Sequence, residues 1–459
     1  MSSKLFPLAS SRARLMLAFA LIVSNRPPVF AADAEPMRGP FLSATIMRAK
    51  DKAAAMKGLA VTLGADKKSY VVYDLDTLRL AVAWTGEFLE FGNTLTKIEW
   101  PPPPAVKGSV AFETAMGPGW ADKSGSLDDP RVRQQGPLPK DWAHYEGLYQ
   151  HGDNVVLKYT VGGVGVLELP GLEIVNGRPA FTRTLQFAKR VESFTMKVAD
   201  LAQPGIFVRA GEDLVVRDNA GKNVMVVGLS DRNTGHWSLD NEHLSLHLNK
   251  VKANKPLRLA FMRAEDWEAA GKPDLAKLGQ LESDLRSLTH GGPAHWTEAI
   301  TTQGKLGTED GPYQVDTITE PFPNPYGTRT FWGGFDFLPD GRAVICAFHG
   351  DVWIVSGLDG KLDKLTWKRF ATGLFQPLGV KVQKGEIYVA GRDQITRLKD
   401  INGDGEADFY ENFNNDTVVT PNYHEFVLDL HTDSKGNFYY AKGAPWEPAV
   451  TSPHQGCLF

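Results

Sequence analysis

Phe337-Leu338-Pro339-Asp340-Gly341-Arg342-Ala343-Val344-Ile345-Cys346-Ala347-Phe348-His349-Gly350-Asp351-Val352-Trp353-Ile354-Val355 is a turn, a strand, a second turn and a second strand. The Asp-Gly turn supplies the left-handed residue that a tight reversal needs, and the apolar runs on either side are of strand length. The same unit returns twice. Gln383-Lys384-Gly385 leads into Glu386 to Ala390 and Gln394 to Leu398, and Ser434-Lys435-Gly436 leads into Asn437 to Lys442. Its turn glycines, Gly341, Gly385 and Gly436, lie 44 and then 51 residues apart. A period of this size with several strands per repeat predicts β-propeller blades. About three blades fit between residue 326 and Phe459, and a ring needs roughly four to eight, so the expectation is an incomplete propeller.

Upstream, short alternating runs fill residues 32–265. They include Thr77 to Trp84, Val155 to Val161, Val164 to Leu169, Phe181 to Leu185, Ile206 to Arg209, Asp213 to Val216, Asn223 to Val227, Leu244 to Leu248 and Leu257 to Met262. Many short strands without helical periodicity predict a β-sandwich. The fold class is therefore all-β: a sandwich-like domain, a short helical and Pro/Gly-rich linker over 266–325, then the propeller. Within the linker, Leu275, Leu278, Leu281, Leu285 and Leu288 form one stripe after the capping Asp274 and predict a helix over 274–288. Trp100 to Pro104 reads as a stiff polyproline connector.

Composition narrows the classes. With 50 Lys plus Arg against 54 Asp plus Glu, the net charge of −4 gives no basic surplus for nucleic acid or an anionic membrane. Cys346 and Cys457 form neither CxxC nor CxxCH, so this chain carries no haem-attachment site. Lys4, Arg12 and Arg14 precede the apolar run Leu15 to Val23, and Val29-Phe30-Ala31 offers a cleavage site. Residues 1–31 thus read as a signal peptide, giving a secreted or periplasmic product without a membrane span.

The strongest ligand motif is Asp400 to Glu411, D-I-N-G-D-G-E-A-D-F-Y-E. Asp400, Asn402, Asp404, Glu406, Asp408 and Glu411 occupy the first, third, fifth, seventh, ninth and twelfth positions of a calcium loop, with Gly405 at the turn. Calcium takes six to eight hard oxygens, and this set supplies them, Glu406 through its carbonyl. The residues ahead of it alternate as a strand, so the loop joins strands rather than the helices of an EF-hand. Elsewhere, Trp120, Trp142 and Tyr149 lie in a long loop with Asp129 and Arg131. Aromatics beside such charges suit a sugar, but the reading preferred is that they cover the open end of a sandwich core.

Two stretches carry family resemblances. Lys57 to Val61, Ala83 to Gly86, Gly117-Pro118-Gly119-Trp120, Asp129-Pro130-Arg131, Gly147-Leu148-Tyr149, His151-Gly152, Tyr159 to Val161 and Phe181 to Thr184 resemble the DUF6797 domain of large secreted planctomycete-type proteins. That resemblance implies a propeller following the domain, often with a cytochrome c domain beyond, as part of the chain or as a partner. With about three blades and an apparent strand, Gly456 to Phe459, at its end, the chain is expected to be C-terminally truncated. Phe337 to Gly341, Gly350 to Trp353, Gly373-Leu374 with Pro377 to Gly379, and Thr396 to Leu398 with the calcium-like loop resemble quinoprotein sugar or sorbosone dehydrogenase propellers. This resemblance implies oxidation of sugar or alcohol groups by a bound quinone (PQQ), with a His taking the hydroxyl proton. His424 in Asn422-Tyr423-His424 occupies a similar place, Glu425 or Asp429 would orient it, and Arg392 and His349 would line the cofactor face. The competing reading is a non-catalytic glycan- or protein-binding scaffold.

Overall fold

The computed structural model describes residues 37–49, 52–91, 103–210, 213–279, 284–420, 422, 424–444 and 453–459. The expected signal peptide lies outside them, as do residues 92–102 at the start of the polyproline stretch. The described chain is almost entirely β, and no helix in it is long and apolar enough to cross a membrane.

Two large sheets face each other. The first runs Phe41–Ala49, Lys52–Leu63, Ser69–Asp74, Arg79–Glu90, Ala105–Glu113, Val191–Asp200, His243–Val251 and Gly235–Asp240. Its first and fifth strands also touch in parallel at Met47 and Ala105, so this end curls toward a barrel. Curling buries both faces: every residue of Ser69–Asp74 is inside, with Val71 and Tyr73 against the second sheet and Tyr70 and Val72 in the curl with Trp84. The second sheet has twelve strands, from Gly205–Ala210 at one edge to Gly379–Gln383 at the other. The alternation noted over Val155 to Val161 registers with its strand, whereas the Thr77 to Trp84 run does not: Leu78 lies in the turn ahead of Arg79–Glu90, and an irregularity between Leu80 and Val82 sends these two to different clusters.

Blade-like meanders follow. One is Trp332–Phe337, Ala343–Ala347, Val352–Ser356 and Leu365–Ala371, extended by Ile300–Thr302 from the linker. The next is Gly379–Gln383, Glu386–Ala390, Ile395–Lys399 and Phe409–Asn414, and the third is Val427–Thr432, Phe438–Lys442 and Cys457–Leu458. Their leading strands lie side by side, which requires small residues. A Cβ on Gly334 would meet Gly379 Cα at 3.0 Å, and one on Gly379 would meet the Asp429 carbonyl oxygen at 2.6 Å.

Two expectations change. There is no continuous helix over 274–288: the described residues form short 3-10 turns at Leu275–Lys277 and Leu285–Thr289, and the one α-helix is Ala264–Ala269. Leu275 and Leu285 are anchored singly to the second sheet. Leu275 N donates to Asp213 and Leu285 N to Gln186, while Gly279 turns the chain at φ 53°. Gln186 thereby takes the Leu285 N–H that a helix would have used. The linker and the propeller are also not set apart from the sandwich. Ala143–His151 pairs with Phe409–Asn414 (Tyr149 opposite Phe409, Leu148 opposite Tyr410), so one sheet runs through both regions.

Candidate functional site

In an antiparallel meander, the second-to-third turn and the crossover to the next blade fall at one end, and the third-to-fourth turn falls at the other. His349 and Arg392 sit in second-to-third turns and His424 in a crossover, so all three share one end. Arg392, 5 % exposed, donates to the Thr420 and Asn422 carbonyls and to Gln376, which ties it to the His424 segment. Aromatic rings run from His349 to Arg392: Phe348 contacts both His349 and Phe426, and Phe426 lies under Arg392.

The groups expected to activate His424 are committed elsewhere. Glu425 is fully buried with its carboxylate 3.3 Å from Lys442 Nζ. Asp429 is exposed and 2.7 Å from His431. Burial lowers the Lys442 ammonium pKa against the pull of Glu425.

The same end is covered by the N-terminal region. Ser43 N donates to the Gly373 carbonyl, Lys57 Nζ donates to the Asn415 carbonyl at 2.6 Å, and Lys140 pairs with Asp416 at 3.4 Å. Lys57 also holds Asp76 at 2.9 Å, and Asp393 is buried beside them. Burial pushes the Asp393 carboxyl up to about 7, opposed by Lys57 and reinforced by Asp76.

The Asp400–Asp408 loop lies at the opposite end of its blade. Asp400 accepts from Gly403 N at 2.7 Å and Gly405 N at 2.8 Å, which wraps the loop around its carboxylate. Asn402 Oδ1 accepts from Asp404 N, and Asp404 Oδ1 from Glu406 N. Asp408 accepts from Ile401 N, Asn402 N and Gly292 N. Glu406 accepts from His295 N and Trp296 N at 2.7 and 2.5 Å, and burial raises its pKa against these bonds. The loop therefore staples the linker to the blade.

Glu411, expected as the twelfth ligand, is paired with cations of the neighbouring strand. It stands on the outgoing strand opposite Arg397, 2.5 Å from Arg397 Nε and 2.9 Å from Lys399 Nζ. Burial works to raise its pKa, but these two cations outweigh it and hold the carboxyl below the usual range. In an EF-hand a helix turns the twelfth residue back to the ion; a strand carries it about 10 Å onward from the ninth. Among the described residues no group of three or more His, Cys, Asp or Glu is arranged to hold a metal.

The aromatic loop turns inward. Trp120 is fully buried, Trp142 Nε1 donates to the Trp120 carbonyl, and Tyr149 stacks on Phe409 at 4.2 Å. Asp129 and Arg131 pair with each other at 2.8 Å. These residues build core.

What the sequence concealed is an open groove of about 620 Å³ on the N-terminal region. Thr182, Thr184 and Arg258 line it from adjacent strands of the second sheet, together with Arg38, Lys67 and Asp153. A Cβ on Gly171 would lie 2.6 Å from Thr182 Oγ1, so glycine keeps the lining open. No spacing in the sequence marks these residues, which come together from six separate segments.

The domain-of-unknown-function family DUF6797 matches residues 71–168. No curated protein matches the chain. Among solved structures, "Putative kojibiose phosphorylase from human microbiome" is similar at 9 % identity and a TM-score of 0.25, over 53 % of this chain and 36 % of its own. The chain thus spans about a third of the length of that protein.

Proposed function

We propose that this chain is an exported carbohydrate-binding platform rather than a catalyst. The observation that carries the reading is the placement of the N-terminal region over the blade end that holds His349, Arg392 and His424. The two carboxylates that follow His424 in the chain are engaged elsewhere, Glu425 with Lys442 and Asp429 with His431, whereas a general base needs a group that orients it and tunes its pKa. Arg392, expected on the cofactor face, is committed to the Thr420 and Asn422 carbonyls. Carbohydrate is supported by the groove, where hydroxyls and charged side chains alternate with Leu172 and Tyr70. Export rests on the charge and apolar pattern of residues 1–31.

Calcium belongs to the same proposal. Asp400, Asn402 and Asp404 would contribute side-chain oxygens, Asp408 a second lone pair and Glu406 its carbonyl, with no ligand from Glu411. The ion would stiffen the staple between linker and blade, at the end away from His424.

Titration of the full chain with neutral and acidic oligosaccharides, followed by calorimetry, tests the reading. Saturable binding without turnover supports it. Dye-linked sugar oxidation that depends on added quinone and calcium would replace it with the dehydrogenase reading, in which electrons pass to a cytochrome c domain or partner.

A further inference from the structure

The first sheet ends in Val191–Asp200, His243–Val251 and Gly235–Asp240, the last of these at its edge. Alternation divides the side chains of these strands between two faces. Met196, Leu246, Leu248 and Trp237 pack into the core, which leaves Thr195, His247 and His236 on the outer face. These three form one row across the sheet, because Thr195 stands directly opposite His247, and His247 directly opposite His236. The two imidazoles are stacked, with ring centroids 4.7 Å apart and planes 15° from parallel.

The row holds its rings in place. His247 Nδ1 is 2.9 Å from Thr195 Oγ1, and its Nε2 is 2.6 Å from Ser238 Oγ. His236 Nδ1 is 3.3 Å from Asn249 Nδ2, and its Nε2 has no partner among the described residues. Neutral imidazole is a preferred ligand of Zn²⁺, Cu²⁺ and Ni²⁺, whereas calcium and magnesium take oxygens. An ion bonded to two ring nitrogens at about 2.0–2.1 Å spans up to about 4 Å between them. Rings at this separation reach that span by small side-chain rotations. His236 is exposed and has room for its rotation, and the Ser238 hydroxyl leaves Nε2 by changing rotamer. Thr195 remains on Nδ1 of His247, and Asn249, whose amide offers either oxygen or nitrogen, remains on Nδ1 of His236. Metal-bound histidines are oriented in this way, through the nitrogen that does not bind the ion.

We propose that His236 and His247 form a two-imidazole site for a divalent transition-metal ion of the Zn²⁺ or Cu²⁺ class, with water completing its coordination. The ion ties the edge strand Gly235–Asp240 to His243–Val251, the strand with which it pairs. An edge strand is where a sheet frays first, so the expected consequence is a firmer edge on this side of the sandwich. The site is independent of the groove and of the oxygen-rich loop.

The test is calorimetry on the untagged full chain with Zn²⁺ and with Cu²⁺, in excess calcium so that oxygen-rich sites are occupied. One ion should bind per chain, Cu²⁺ more tightly than Zn²⁺, and amide exchange in Gly235–Asp240 should slow. His236→Gln should weaken binding about tenfold or more, with an unchanged melting temperature verifying that the variant folds. His247→Gln should do the same. Thr195→Val should weaken binding about tenfold by releasing the His247 ring, and Thr195→Ser should restore it. Binding of Cu²⁺ alone supports the site and identifies its ion. Failure of both ions to bind overturns the proposal, and so does undiminished binding in a folded His236→Gln variant, which would place the ion elsewhere. Unchanged affinity in Thr195→Val overturns the positioning role of Thr195.

Discussion

Replacing Asp393 by Asn should stabilise the protein at high pH and leave it nearly unchanged in acid. Asp393 lies in a blade turn, 4 % exposed, with Lys57, Asp76 and Tyr145 facing it from the N-terminal region. Burial, the largest influence, lifts its carboxyl from 3.8 to about 7. The folded chain therefore keeps a proton between pH 4 and 7 that the unfolded chain releases. A folded-state value above the unfolded one means that stability falls as pH rises through this window, by at most about 4 kcal/mol. An amide cannot ionise, so Asp393→Asn escapes this loss, and Lys57 retains Asp76 at 2.9 Å and the Asn415 carbonyl. Urea unfolding of both proteins at pH 4.5, 6 and 8 measures it. The variant should gain on the wild type steadily with pH. Asp213, pushed up to about 6 by burial, and Glu406, also raised, change the wild-type curve in the same sense. The difference between the two proteins, rather than either curve, is accordingly the quantity to read. A variant less stable than wild type at pH 8 would mean that Asp393 is ionised against Lys57, and the reasoning would be wrong.

Glu168 accepts from Tyr73, Tyr159 and Arg183 in the buried space between the sheets. Glu168→Gln leaves the Arg183 charge without its partner and should cost roughly 3–5 kcal/mol, read as a lowered urea midpoint. Gly147 has φ 137°, and a Cβ there would lie 2.5 Å from the Tyr410 carbonyl oxygen. Gly147→Ala should therefore cost roughly 1–3 kcal/mol and speed hydrogen exchange in Phe409–Asn414, where the two regions join. Calcium should raise the melting temperature of the wild type and have no effect on Asp404→Ala. Glu411→Gln should keep the wild-type calcium affinity, because Glu411 serves Arg397 and Lys399; a marked loss of affinity would return it to the ligand set.

Local patterns translated well into local structure. The runs over Val155 to Val161 and Glu386 to Ala390 became strands because alternation needs only that one face be buried. The 274–288 stripe failed for a related reason: leucines at helical spacing also suit a chain pinned to a sheet, and Asp213 and Gln186 decided which it would be. The calcium spacing was legible from Asp400 to Asp408. At Glu411 the spacing alone does not say where the side chain goes, because that depends on whether the chain leaves as a helix or a strand.

The site readings divide along the same line. Arg392 and the His424 segment do meet, as their shared turn positions suggested, yet the carboxylates beside His424 in sequence turn toward Lys442 and His431. Lys57, Asp76 and Asp393 are hundreds of residues apart at the extremes, and the groove gathers Arg38, Lys67, Asp153, Thr182 and Arg258 from distant strands. Residue order alone determined the all-β class, the repeated blade unit and the oxygen-rich loop, since each depends on side-chain spacing within one or two turns of chain. Only the tertiary structure decided that Ala143–His151 continues into Phe409–Asn414, that the N-terminal region covers one end of the blades, and that an open groove remains on its flank. Those outcomes depend on which sheet edges and faces find each other, and that is settled by long-range pairing rather than by any neighbouring residues.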